Sequence, residues 1–129
     1  MGEKEVVRTE RAPAPFQGAP YSQAIRANGF VFVSGQLPLE PDHAEIVGGS
    51  IEEQTEKIFD NLQAILEEAG SGLDRIVKTT VFLLDLGDFT GMNEVYARRV
   101  GQPPPARATI EISNLPSGVK VEIEAVALA

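Results

Sequence analysis

The chain contains no cysteine, a single histidine and no long apolar run. The first absence excludes disulfides, thiolate nucleophiles and thiolate metal sites. The lone histidine, His43, sits in the loop-like stretch Glu40-Pro41-Asp42-His43-Ala44-Glu45, where a solvated surface residue is expected rather than a ligand or base. The opening Met1-Gly2-Glu3-Lys4-Glu5 lacks the apolar centre of a signal peptide, and no later segment is apolar enough to span a bilayer, so the expectation is a soluble cytoplasmic protein. Positive charge is also scarce. Eleven Lys and Arg stand against 19 Asp and Glu, a net charge of −8, and no basic cluster appears beyond Arg98-Arg99. Such a surface repels phosphate backbones and anionic membranes, so neither nucleic acid nor a membrane is an expected partner. The 129 residues, 43% of them hydrophobic, suit one domain over residues 1–129 with one core.

What is present reads as alternating strands and helices. Residues 5–8 suit a short strand, and the proline-rich residues 11–20 an irregular segment. Asn28-Gly29 between two β-rich runs signals a hairpin, because both central turn residues need positive φ. Residues 30–34 are apolar on both faces and are expected inside the sheet. Gly35, just beyond, permits close approach by a ligand or another strand. Ser50 with Glu53 forms a capping box opening an amphipathic helix of about five turns, with Gly70 at its C-terminal stop. Residues 75–84 are long and β-branched and belong inside the sheet. The strand–helix–strand run makes this crossover parallel and right-handed. Asp88 is expected to cap a second helix whose buried stripe is Phe89, Met92, Val95 and Tyr96, with Asn93 off that stripe and Gly101 closing it. Two more strands follow. The order β-β-β-α-β-α-β-β predicts an α+β fold, one mixed sheet with two helices on one face. The other face has nothing in the chain to cover it, which implies a homo-oligomer.

The last two strands carry the charged residues of interest. Pro103-Pro104-Pro105 delivers the chain to a strand from about Ala106, and alternation places Arg107, Thr109 and Glu111 on one face. Val121, Ile123 and Ala125 alternate with Glu122 and Glu124. If these strands pair as a hairpin about Leu115 and Pro116, Glu111 faces Lys120, Thr109 faces Glu122, Arg107 faces Glu124, and Arg107 shares a face with Glu122 diagonal to it. One reading is a solvated surface with cross-strand ion pairs worth under about 1 kcal/mol. The other is a small anion site in which Arg107 forks onto a ligand carboxylate while Glu122 handles a proton or a water.

Several further segments bear on this choice: Pro20-Tyr21-Ser22-Gln23, Val33-Ser34-Gly35-Gln36-Leu37-Pro38, Val77-Lys78-Thr79-Thr80-Val81-Phe82, Asp88-Phe89 with Met92-Asn93-Glu94-Val95-Tyr96, Pro105-Ala106-Arg107-Ala108-Thr109, and Leu115-Pro116 with Val121-Glu122-Ile123-Glu124-Ala125. In these collinear motifs, from about Ala12 to Ala127, the chain resembles the RidA (YjgF/YER057c/UK114) family of reactive-intermediate deaminases, whose members are also described as endoribonuclease L-PSP. The resemblance implies a chorismate-mutase-like fold assembled as a homotrimer, with sheets forming an inner barrel and active sites between subunits. It implies hydrolysis of 2-imino acids and enamines such as 2-aminoacrylate and 2-iminopropanoate to 2-oxo acids and ammonia, a 2-iminobutanoate/2-iminopropanoate deaminase needing no cofactor or metal. By motif position Arg107 binds the substrate carboxylate, Glu122 positions the attacking water, and Tyr21 joins them in the site. Ser34, Gly35, Asn93 and Thr109 are implied to line it. Some relatives have cysteine or serine where Thr109 stands, so thiol-dependent behaviour is not expected here. The competing expectations are a regulatory trimer that binds small carboxylates without catalysis, and a translation-inhibiting endoribonuclease, which the net charge and lack of a basic stripe disfavour.

Overall fold

Asn28 and Gly29 take φ of 51° and 83°, the positive values that a two-residue hairpin turn demands. They join β2 (Ala24–Ala27) to β3 (Phe30–Gln36), with Ala27 opposite Phe30, and β1 (Glu5–Val7) pairs antiparallel with β2 on the outside. The computed structural model describes residues 2–43 and 45–129. The long helix α1 (Ile51–Glu68) begins at the expected capping box: Ser50 Oγ accepts from Glu53 N–H at 3.0 Å, and Glu53 Oε1 accepts from Ser50 N–H at 3.3 Å. It stops where Gly70, at φ 81°, lets Gly70 N–H and Ser71 N–H reach back to the Glu67 and Leu66 carbonyls.

The remaining elements are β4 (Ile76–Leu83), α2 (Phe89–Arg99), β5 (Ala106–Glu111) and β6 (Val121–Leu128), and the six strands lie in the order β1-β2-β3-β6-β4-β5. This is an α+β fold with one mixed sheet and two helices. Val31, Val33, Val81, Leu83, Val121 and Ile123 turn one sheet face towards Ile58, Phe59, Leu62, Ile65 and Leu66 of α1 and Met92 and Val95 of α2, all buried. The helices also meet each other, with the Phe59 and Tyr96 rings edge-to-face at 5.6 Å. Among the described residues no helix is long and apolar enough to cross a membrane.

The last two strands do not form the expected hairpin. β4 lies between them, parallel to β5 and antiparallel to β6, so the pairs Arg107–Glu124, Thr109–Glu122 and Glu111–Lys120 do not exist. Glu111 Oε1 instead accepts from Leu86 N–H at 2.9 Å. Placed inside, the long apolar β4 makes a hydrogen-bonded ladder on each side, whereas a β5–β6 hairpin would leave it an edge. β3 and β4 do run in the same direction, but each is antiparallel to β6, which separates them. Asp88 occupies the N-cap of α2 without a side-chain bond to it, and the preceding turn is held by Asp85 accepting from Gly87 N–H at 2.7 Å. Phe89 is not core either; it is 40% exposed.

The second sheet face carries Val6, Phe30, Phe32, Ile110 and Leu128, all exposed, and among the described residues no helix covers it.

Candidate active site

Arg107 stands on the edge strand β5. Its register partner on β4 is Thr79, whose partner on β6 is the buried Ala125, so Arg107 faces the helix layer. There Nη1 donates to Asn93 Oδ1 at 2.7 Å, and the guanidinium carbon lies 4.7 Å from the Tyr96 ring centroid and 5.5 Å from that of Phe89. The Tyr96 ring is itself pinned, because its hydroxyl and the Thr79 hydroxyl share a buried hydrogen bond of 2.6 Å. Burial pushes the Tyr96 hydroxyl pKa up, against the opposing Thr79 bond and the Arg107 charge, so the ring stays neutral beneath the cation. Among the described residues no carboxylate pairs with Arg107. A guanidinium laid over two rings and steered by one amide is a preorganised fork for a planar anion.

Glu122 lies on the opposite sheet face. Its register partner is Phe82, in line with Ile110 on β5, and it shares the uncovered face with Glu124. Between Val33 and Gln36 the β3 register shifts, and here Gly35 passes beneath the Glu122 carboxylate. A Cβ built on Gly35 would overlap Glu122 Oε2. The glycine is needed for that close approach. Burial raises the Glu122 pKa above the ordinary carboxylate value, and the Glu124 charge adds to the shift. Beside it, Ser34 Oγ donates to the Ser22 carbonyl at 2.6 Å and Ser34 N–H to the Gln23 carbonyl at 2.9 Å, which fastens β3 to the segment carrying Tyr21. Tyr21 is exposed, and its hydroxyl accepts from Phe16 N–H at 2.9 Å.

The expected site residues therefore fall into two groups within one chain. Arg107, Asn93 and Thr109 belong to the helix side of the sheet. Glu122, Ser34 and Gly35 belong to the uncovered side, and Tyr21 borders a cavity that reaches Gly35. The diagonal contact between Arg107 and Glu122 is absent because alternation assigns each strand two faces but leaves open which strand lies beside which. Two residues of the Arg107 group were missed. Phe89 and Tyr96 read as core, yet Phe89, Asn93 and Tyr96 stand at i, i+4 and i+7 on α2, a single helix face converging on the arginine. His43 also departs from expectation: Nε2 lies 2.7 Å from the Ala14 carbonyl and the ring sits edge-on to Phe16 at 5.4 Å, clasping two loops. Among the described residues no group of three His, Cys, Asp or Glu side chains converges to hold a metal ion.

The sequence model of the family described as Endoribonuclease L-PSP matches residues 9–129. The chain belongs to the RidA family. Its relatives include a RutC family protein of Pyrococcus abyssi, 52% identical over 124 residues that cover 96% of each chain. The chloroplastic Reactive Intermediate Deaminase A of Arabidopsis thaliana is 48% identical over 124 residues, covering 96% of this chain and 65% of that one. Among solved structures, Escherichia coli TdcF with bound serine matches with a TM-score of 0.87 and 36% identity over 97% of this chain and 98% of that one. The RidA family thus includes a deaminase of reactive intermediates, and the strand order and two-helix layer found here are that family's fold.

Proposed function

We propose that the chain assembles as a homotrimer in which Arg107 of one copy and Glu122 of the next face a shared cleft, and that this cleft hydrolyses 2-imino acids to 2-oxo acids and ammonia. The supporting observation is the separation of the two groups. An arginine with no carboxylate partner and a carboxylate with a raised pKa are mounted on opposite faces of one sheet, and the face carrying the carboxylate is apolar and uncovered. Two copies are needed to bring them together. The deaminase name of a close relative, and the serine bound to TdcF, fit a ligand bearing a carboxylate and a nitrogen on the adjacent carbon.

The chemistry needs little beyond positioning. The C=N carbon of a 2-imino acid is electrophilic, more so when the nitrogen is protonated. Arg107 holds the carboxylate by its two-pronged face and fixes the carbon at a set distance from Glu122. Ionised Glu122 takes a proton from water as the oxygen bonds to carbon, giving a carbinolamine. Glu122 then returns that proton to nitrogen. The C–N bond breaks, ammonia leaves, and the hydroxyl proton passes to water as the C=O forms. A raised pKa suits the first step, since it makes the ionised carboxylate a stronger base towards the water proton. Tyr21, Ser34 and Thr109 line the cleft in this reading, while Asn93 aims the arginine. In this reading 2-iminopropanoate, derived from 2-aminoacrylate, and 2-iminobutanoate are the smallest substrates the cleft takes. Phosphodiester cleavage is disfavoured by the net charge of −8 and by the engagement of the single histidine with the Ala14 carbonyl.

The assay generates an imino acid with an amino-acid oxidase in the presence of semicarbazide, which traps imine that survives. The protein is expected to lower the rate of semicarbazone formation in proportion to its concentration; no effect on any imino acid overturns the reading. Gly35→Ala gives a sharper check. The new methyl meets the mobile end of the Glu122 side chain rather than backbone, so the carboxylate moves while the fold does not. The melting temperature is expected within about 4 °C of wild type, while kcat falls about 10- to 100-fold because the base is displaced by about an ångström.

A further inference from the structure

Resting on the hydrolase reading, we infer that the cavity walled by Phe16, Tyr21, Leu37, Leu39, Ile46 and Pro116 receives the substrate's side chain, so that the favoured substrates are 2-imino acids with bulky apolar side chains. The cavity measures about 510 Å³, within the range of small-molecule sites and far larger than the methyl of 2-iminopropanoate requires.

Its position links it to the chemistry. Gly35 forms part of the cavity wall and also lies directly beneath the Glu122 carboxylate. An imino acid whose reacting carbon sits over Glu122, with its carboxylate drawn to Arg107 of the neighbouring copy, has its third substituent left to enter this space.

Most polar groups of the wall are already engaged, the buried His43 Nδ1 being the exception among the described residues. Gln23 Nε2 donates to the carbonyls of Thr9, Ala12 and Pro13 at 3.0, 3.1 and 2.9 Å, and its Oε1 accepts from Thr9 N–H at 2.7 Å. Gln36 Nε2 donates to the Ser34 carbonyl at 3.0 Å, His43 Nε2 contacts the Ala14 carbonyl, and the Tyr21 hydroxyl accepts from Phe16 N–H. The one ionisable carboxylate in the wall is the exposed Glu45, whose charge repels a second carboxylate on the ligand. A side chain entering here meets mainly carbon, which favours isobutyl or benzyl groups and disfavours acidic ones. The walls are also held in place before any ligand arrives. Leu39 bridges Ile46, Val47 N–H donates to the Pro38 carbonyl at 2.8 Å, and Glu40 N–H to the Glu45 carbonyl at 3.1 Å. Apolar contact in a preformed pocket discriminates by about 10-fold or more for each added methylene.

The test uses the full chain in the semicarbazide competition, with imines generated by L-amino-acid oxidase from alanine, leucine and phenylalanine. The expected result is kcat/KM for the leucine- or phenylalanine-derived imine at least about 10-fold above the alanine-derived one. Ile46→Trp, which fills the cavity, is expected to lower that ratio at least about 10-fold. Calorimetric titration of wild type with 4-methyl-2-oxopentanoate and with pyruvate gives a second readout that needs no variant, the branched acid being expected to bind about 10-fold tighter. Equal or better handling of the alanine-derived imine, or tighter binding of pyruvate, overturns the inference and leaves the hydrolase reading standing. Failure to hydrolyse any of the three overturns both.

Discussion

Replacing Glu122 by glutamine is expected to lower kcat for imine hydrolysis by about 10²- to 10⁴-fold, the range for loss of a positioned acid–base group. Affinity for a 2-oxo acid is expected to stay within about 2-fold, since the amide keeps the shape of the site and the carboxylate of the ligand is held elsewhere. A non-catalytic binding protein would show neither a rate to lose nor this split. The raised pKa adds a pH signature. Wild-type kcat/KM is expected to fall on the acid side at a pH above that of an ordinary glutamate, because protonation removes the base, and this limb is expected to vanish in Glu122→Gln. Stability carries the opposite sign. A carboxyl whose folded pKa is raised binds its proton more tightly in the folded state, so its contribution is present at low pH and is lost as pH rises from the unfolded value through the folded one. Glu122→Gln is therefore expected to melt higher than wild type at neutral pH and to converge with it at acid pH, as scanning calorimetry across pH would show.

Arg107→Ala is expected to raise KM by about 10²-fold or more, since each charge-assisted hydrogen bond to a carboxylate contributes about 1.5–3 kcal/mol. Arg107→Lys keeps the charge but loses the fork and the flat contact with the Tyr96 and Phe89 rings, so it is expected to recover little of that loss. Both effects are read from initial rates over a range of imine concentrations, with product binding by titration as a check. If Arg107→Lys restored wild-type KM, a point charge would suffice and the assembly of Asn93, Phe89 and Tyr96 about the guanidinium would need another explanation.

The parts of this architecture that were legible in advance are local. Asn28-Gly29 can make few other turns, Ser50 and Glu53 satisfy each other within one helical turn, and Gly70 supplies the positive φ that ends α1. The element order follows from such signals. Strand adjacency does not. Alternation correctly grouped Arg107 with Thr109 and Glu122 with Glu124, yet the sheet face each pair takes depends on β4 entering between β5 and β6, a choice made by burial of β4 rather than by the connecting segment. The same holds for His43, whose clasp on Ala14 spans 29 residues of sequence. Motif resemblance implies site residues that do not all meet within one chain. Under the proposed function, their separation becomes a statement about assembly.

That statement is tested most directly by subunit mixing. Arg107→Ala and Glu122→Gln chains, each inactive alone, are unfolded together in equal amounts and refolded as hybrids. If every site takes Arg107 from one copy and Glu122 from another, random assembly leaves about a quarter of the sites with both groups intact, and about that fraction of wild-type activity is expected to return. Hybrids confirmed by mass spectrometry that remain as inactive as their parents would contradict a site shared between copies.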